Sequence, residues 1–462
     1  MTHEPLEAAL SHAESFLRDL PNRPVKSMRD RDHLLRTLGG SLPEGSSDPV
    51  KVIDLLADGA EAGLLATPSS RFFGFVIGGA LPVAVAADWL TSAWDQNAGL
   101  YASSPSASVI EEISATWLKD FLGLPEHASV GFVSGGQMAE FVALAAARHH
   151  VLSKAGWDIA GDGLFGAPSI RVLANAQSHV TVGRALRYLG IGTNAVEPIT
   201  VDERGRMRVE PLADALRRND SPAIVCCQAG DVNTGAVDPV GDICDVAHNA
   251  GAWVHVDGAV GLWAAGVPSL QHLFVGLDNA DSWAADAHKW LNVPYDSGLV
   301  FCAHPDAHRS AMGTHASYLI QTEAGRERDQ MDWVPEFSRR ARGFAVYAVM
   351  RMLGRAGIVE MVERSCVNAR RFAQALMQAP NVEVLNDVVL NQVLVRFLAD
   401  DGDHDRKTRE VVRRVQDDGT CWLSGSTWQG KAVMRISVSN WATSAEDVDR
   451  SLDVILRCAR DA

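Results

Sequence analysis

The chain has 462 residues, 47% of them hydrophobic, with 39 glycines, a composition suited to a compact α/β molecule and not to a disordered one. Lys and Arg number 42 against 57 Asp and Glu, so the formal charge is −15; with no basic tract, nucleic acid and anionic membrane surfaces are poor partners. Seven dispersed cysteines without C-x-x-C spacing exclude a disulfide framework or zinc site as the expectation and favour a reducing compartment.

The first element, residues 5 to 20, is predicted as an amphipathic helix ending at Pro21. Met1 to Arg23 lacks the apolar core of a signal peptide, and runs such as Ala80 to Ala87 are too short to span a bilayer. A cytoplasmic location is expected. Gly39 to Asp48 is a polar linker, followed by a helical, apolar stretch from Val50 to Leu124 that Gly78-Gly79 and Ser103-Ser104-Pro105 interrupt. From Val130 onward, short apolar runs alternate with longer amphipathic ones. Gly131-Phe132-Val133 leads into a helix from about Gln137. Ile170 to Ala174, Ala223 to Cys227, Trp253 to Val256, Ser282 to Ala285 and Gly298 to Cys302 read as buried strands. Such alternation predicts a mainly parallel sheet flanked by helices. His304 to Arg342 is polar and charged and is expected to carry a mobile segment. Helices over Phe344 to Met352 and Val359 to Met377 come next, then two-residue alternation from Val382 to Phe397. The expected organisation is an N-terminal helical segment (1–85), a large domain (86–340) and a small C-terminal α+β domain (341–462).

The chemistry concentrates at predicted strand ends. Val254-His255-Val256-Asp257 ends in a carboxylate, and Ala287-His288-Lys289-Trp290 places a lysine just past the next strand. In an open α/β sheet both side chains emerge at the carboxyl edge, where ligands bind. Pyridoxal phosphate (PLP) needs that pair: a lysine to hold it covalently and an acid for its pyridine nitrogen. Ser134-Gly135-Gly136-Gln137 lies between a strand and a helix. Its Ser-x-x-Gln spacing is that of a capping box, and its glycines expose N–H groups where a helix start favours phosphate.

Asp257-Gly258-Ala259 and His288-Lys289-Trp290 resemble motifs of the group II PLP-dependent amino acid decarboxylases, fold-type I enzymes that include the aromatic amino acid and glutamate decarboxylases. The likeness runs from Phe72 past Arg435, with several motifs in the same order. It implies that Ser134, Gly135, Gly136 and Gln137 cradle the phosphate with Asp286 and His288, that His179 stacks on the pyridine ring opposite Ala259, and that Lys289 carries the cofactor. Asp257 would pair with the ring nitrogen and raise its pKa, and Arg435 would reach the substrate carboxylate. Gln228 and Ala229 would line the ring. Three departures stand out. Glu140 replaces a small amide or hydroxyl residue. Asp231-Val232 replaces a Thr-Thr pair. No tyrosine lies between Leu319 and Val346, where the family keeps its proton donor, so Tyr318 is the expected substitute; Gln330, near the usual place, cannot act as an acid.

The function the resemblance implies is decarboxylation of an L-amino acid to CO₂ and an amine. Aldehyde formation after decarboxylation, another carbon–carbon lyase reaction or transamination on the same fold stay open, as does a scaffold without cofactor. A homodimer with shared active sites is expected, Asn97 to Tyr101 matching the segment relatives lend to the neighbouring subunit. Glu111-Glu112 and Arg339-Arg340 read as solvated faces, and His149-His150 as a complement to a helix dipole. His248 and His255 fall on different elements, and no metal site is expected.

Overall fold

Apolar runs too uniform to alternate become strands buried on both faces, as happens where helices cover both sides of a parallel sheet. The computed structural model describes residues 3–314 and 327–462. Its strands are β1 (Phe72–Phe73), β2 (Ser129–Val133), β3 (Arg171–Asn175), β4 (Val196–Ile199), β5 (Ala223–Gln228), β6 (Trp253–Asp257), β7 (Ser282–Asp286), β8 (Gly298–Cys302), β9 (Val382–Val384), β10 (Gln392–Phe397), β11 (Trp422–Trp428) and β12 (Lys431–Ser437). The larger sheet has the order β2-β8-β7-β6-β5-β3-β4. β7, β6, β5, β3 and β4 are mutually parallel, while β8 runs antiparallel to both β7 and β2. Every strand of this sheet except β8 therefore points its carboxyl end to one edge. The parallel α/β reading from sequence holds for this sheet, in which β8 is the single reversed strand among the described residues.

β4 escaped the sequence reading because Pro198 breaks its pattern and it lies at the sheet edge, only partly buried. The helix Gly136–Lys154 packs across the sheet through Ala139, Val142, Ala143, Leu144, Ala146 and Ala147, all fully buried. Such small side chains let helix and sheet approach closely. Trp253, Trp263, Trp283 and Trp290 are also fully buried. At roughly 25 cal/mol per Å² and 150–250 Å² each, their burial contributes about 4–6 kcal/mol apiece before ordering costs. The Trp263 indole donates to the Asp286 carbonyl at 3.0 Å, which steadies the end of β7.

A second sheet, β1-β11-β12-β10-β9, has its own core around Phe73, Phe372, Val395, Leu423 and Ile436. β1 pairs in parallel with β11, so the N-terminal part of the chain completes this sheet. The helix Gly343–Met377 joins both cores and bends at Gly354, whose φ of 57° separates the two helices expected there. No described helix is long and apolar enough to cross a membrane.

Two expectations about charged residues fail. Glu111 and Arg339 are not solvated: both are buried and form an ion pair at 2.9 Å, with Arg339 also donating to the Ala98 and Phe132 carbonyls. His150 does not serve a helix dipole as a cation. Its ring packs against Trp253 and His304, and burial, with Lys154 and His304 adding, pushes its pKa down to about 4. In each case a helix face that looked outward in sequence is covered by an element distant in the chain.

Candidate active site

The carboxyl ends of β2, β3, β5, β6 and β7 meet at one edge and bring the sequence-selected residues together. β6 ends in Asp257, 8% exposed, with one carboxylate oxygen accepting the Ala259 N–H at 3.1 Å. Burial pushes its pKa up to about 6, and Glu140 adds to the rise against Lys289, the Ala259 N–H and His179. β7 ends in Asp286, which gathers three partners. Lys289 Nζ lies 2.9 Å from its Oδ2; the Gly136 N–H donates to Oδ1 at 2.5 Å; His288 Nε2 sits 3.3 Å from Oδ1. His288 Nδ1 accepts the Ser297 N–H at 3.1 Å, so its proton lies on Nε2, facing Asp286. Burial lowers the pKa of His288 although Asp286 opposes this, and the ring stacks on Tyr295 at 4.2 Å between centroids.

The turn after β2 departs from the expected capping box. The helix begins at Gly136 with Gly135 as its N-cap, and no side chain caps it. Ser134 is therefore one position too early, and the Gln137 amide donates to the Thr181 carbonyl at 3.2 Å. The Gly136 N–H is held by Asp286 and the Met138 and Ala139 N–H groups by the Gly135 carbonyl, so what this helix start offers an anion is chiefly its dipole. Both glycines are required by close approach. A Cβ on Gly136 would stand 2.7 Å from Asp286 Oδ2, and one on Gly135 would stand 2.9 Å from His288 Cε1.

His179, half-buried after β3, is the N-cap of Val180–Tyr188; its Nδ1 accepts the Thr181 N–H and lies 2.8 Å from Thr181 Oγ1. That leaves Nε2 and the ring face for the cleft, which Gln137, Asp257, Ala259 and Lys289 also line. Burial lowers the pKa of His179, with Asp257 opposing. From the small sheet comes Arg435, 9% exposed, with Nε unpartnered and no carboxylate within ion-pair distance among the described residues. Gln228 Nε2 and Gln137 Oε1 are likewise buried without hydrogen-bond partners among the described residues.

Tyr318 lies outside the described residues, as does part of the stretch expected to be mobile. Gln330 is buried and donates to the Ser108 carbonyl at 3.3 Å. Thr181 was not singled out from sequence, and the contacts of Asp231 and His255 were not foreseen. Thr181 steadies His179, and the signal was a hydroxyl two residues after a helix-starting histidine. Asp231 folds its own loop, its Oδ1 accepting N–H groups of Asn233 and Thr234 and the Thr234 hydroxyl. His255 is bound to Glu140 at 2.9 Å, a contact between residues 115 apart that no local pattern announces.

These residues fit pyridoxal phosphate. A lysine amine stands beside a carboxylate, a buried acid waits one strand away, and a glycine-opened helix start lines the same cleft. Unpartnered amide atoms of Gln228 and Gln137 leave polar groups for a ligand to satisfy. The fold and this set of groups define a fold-type I PLP enzyme.

The comparisons with known proteins sharpen that class. Residues 47–398 match the family model described as the pyridoxal-dependent decarboxylase conserved domain, and the chain belongs to that family. It is 28% identical over 439 residues to an aromatic-L-amino-acid decarboxylase of Bacillus atrophaeus, covering 93% of this chain and 89% of the relative. It is 27% identical over 376 residues to a 4-hydroxyphenylacetaldehyde synthase of Rhodiola rosea, covering 78% and 75%. A crystal structure of Oryza sativa TDC with PLP and tryptamine superposes with a TM-score of 0.92 at 24% identity, covering 99% of this chain and 97% of that one. The protein is thus a PLP-dependent carboxy-lyase.

Proposed function

We propose that the enzyme decarboxylates an aromatic L-amino acid to its amine, acting as a cytoplasmic homodimer. The observation that carries the site assignment is Lys289 Nζ at 2.9 Å from Asp286, one strand from buried Asp257. Lys289 would hold the cofactor covalently, and Asp257 would pair with its ring nitrogen. The helix start at Gly135–Gln137, with Ser134, Asp286 and His288 around it, would hold the phosphate. His179 would stack on one ring face and Ala259 pack on the other. When bound, PLP supplies the electron sink for the bond broken at Cα.

Arg435 would bind the substrate α-carboxylate, since a buried guanidinium without an ion-pair partner gains charge-assisted hydrogen bonds from such a group. His179, uncharged because burial lowers its pKa, would offer Nε2 beside it without competing as a cation. An aromatic side chain is supported by the relatives named above. The homodimer reading rests on Asn97 to Tyr101, and an active monomer in sedimentation at assay concentration would overturn it.

A second reading, oxidation by dioxygen to release aldehyde, ammonia and CO₂ with hydrogen peroxide, is favoured by the missing tyrosine between Leu319 and Val346 and by the aldehyde-synthase relative. The test quantifies CO₂, amine, aldehyde and ammonia from a panel of L-amino acids, for the wild type and Tyr318→Phe. If Tyr318 delivers the proton to Cα, the variant shifts product from amine to aldehyde. Aldehyde from the wild type itself supports the second reading. Clean amine from both proteins refutes Tyr318 as the donor, and a keto acid without CO₂ refutes decarboxylation. Borohydride reduction followed by peptide mapping checks the anchor, and a pyridoxyl group on any lysine other than Lys289 would sink it.

A further inference from the structure

Beneath Asp257 lies a buried pair of charged groups that the reading above does not use. Glu140, on the helix that starts at the candidate phosphate cradle, is fully buried and lines the same cleft as Asp257 and Lys289. Its Oε2 is 2.9 Å from His255 Nε2, and its Oε1 has no hydrogen-bond partner among the described residues. His255 stands two residues before Asp257 on β6, so both side chains leave the same face of the strand. The other imidazole nitrogen lies 2.9 Å from Ser282 Oγ, which also accepts the Trp253 indole N–H at 2.9 Å. A carboxylate with one orphaned oxygen is a costly thing to bury, and packing alone does not call for it.

We propose that Glu140, held by His255, is a positioning residue for Asp257, placing a second carboxylate behind the acid that meets the cofactor's ring nitrogen. The inference rests on the assignment of Asp257 to that nitrogen. With Glu140 lining the same cleft, the negative field at its base is stronger than Asp257 supplies by itself. A proton on the ring nitrogen is held more tightly there. His255 limits the effect. Burial opposes its charge, but Glu140's charge and hydrogen bond raise its pKa above the ordinary value. The charged or titratable groups that face this centre are Glu140 from its helix, Lys289 after β7, His179 after β3, His255 on β6 itself and Cys226 on β5.

The experiment titrates the apoenzyme by infrared difference spectroscopy, following the carboxyl band that disappears in Asp257→Asn. In Glu140→Gln, which keeps shape and an acceptor for His255, the midpoint falls by about one pH unit, a tenfold loss of proton affinity. In His255→Gln the group that offsets Glu140 is replaced by a neutral amide, so the followed Asp257 band should titrate at higher pH. Opposite shifts cannot come from general loosening of the core. An unmoved midpoint in folded Glu140→Gln, or shifts of the same sign in both variants, overturns the proposal. Should Glu140→Gln fail to fold, His255→Gln decides by itself, and no rise in the midpoint overturns it. A parallel measurement separates this from the underlying assignment. In the holoenzyme carrying ring-¹⁵N PLP, Asp257→Asn must move the nitrogen signal. If it does not, the placement of Asp257 at the ring fails. If it does while the Glu140 variant leaves the apoenzyme titration unchanged, only the role of Glu140 fails.

Discussion

Replacing Asp257 by asparagine should trade catalysis for stability of the apoenzyme, with a pH dependence that the structure specifies. Burial raises this carboxyl from 3.8 to about 6. The sign follows from proton binding. The folded state holds the proton more tightly than the unfolded chain, so the favourable contribution is full below pH 3.8 and is lost as pH rises through 6. Above pH 7 the ionised carboxylate costs about 2 pH units × 1.36, or roughly 3 kcal/mol, relative to its protonated form. Asparagine is neutral throughout and keeps an oxygen for the Ala259 N–H. Urea denaturation of cofactor-free wild type and variant at several pH values reads the difference. The variant's advantage should grow between pH 4 and 7 by up to about 3 kcal/mol and then level off. In the holoenzyme the same substitution should depress turnover severely, because the ring nitrogen loses its anionic partner. A stability difference that stays flat from pH 4 to 7 would refute the burial argument, and near-normal turnover with bound cofactor would refute the role.

Gly136→Ala brings a Cβ to 2.7 Å from Asp286 Oδ2 and should weaken cofactor binding at least about tenfold, read by equilibrium dialysis, with the fold unchanged by circular dichroism. Arg435→Gln removes charge-assisted bonds worth about 1.5–3 kcal/mol, so kcat/KM for the amino acid should fall roughly tenfold to a hundredfold. Inhibition by the carboxylate-free amine should change little, and an equal loss for both would count against carboxylate recognition. Arg339→Met leaves Glu111 buried without its partner and should destabilise the protein by about 3–5 kcal/mol in denaturant titrations. Glu111→Gln combined with it should recover much of that loss.

Much of the large sheet was legible in the sequence because parallel strands buried on both faces are continuous apolar runs, as in Ala223–Gln228 and Trp253–Asp257. The placement of Asp257 and Lys289 was legible for the same reason, since strand ends in such a sheet share an edge. A strand without that pattern was not: β4 carries Pro198 and borrows its order from β3. The Ser134–Gln137 spacing suggested a capping box, but where the helix begins is decided by Asp286 drawing the Gly136 N–H to itself from 150 residues away. Glu111 and Arg339 read as surface residues because charge in sequence implies water, whereas here each supplies the counter-charge the other needs to be buried. Glu140 could be recognised as unusual but not explained, since its partner His255 lies on a strand that only the folded sheet brings beneath the helix. The sequence by itself determined which groups are presented at the sheet's edge, through local periodicity. Only the tertiary structure decided which of them touch and how strongly each holds its proton, because desolvation and Coulomb interactions depend on distances that chain separation does not encode.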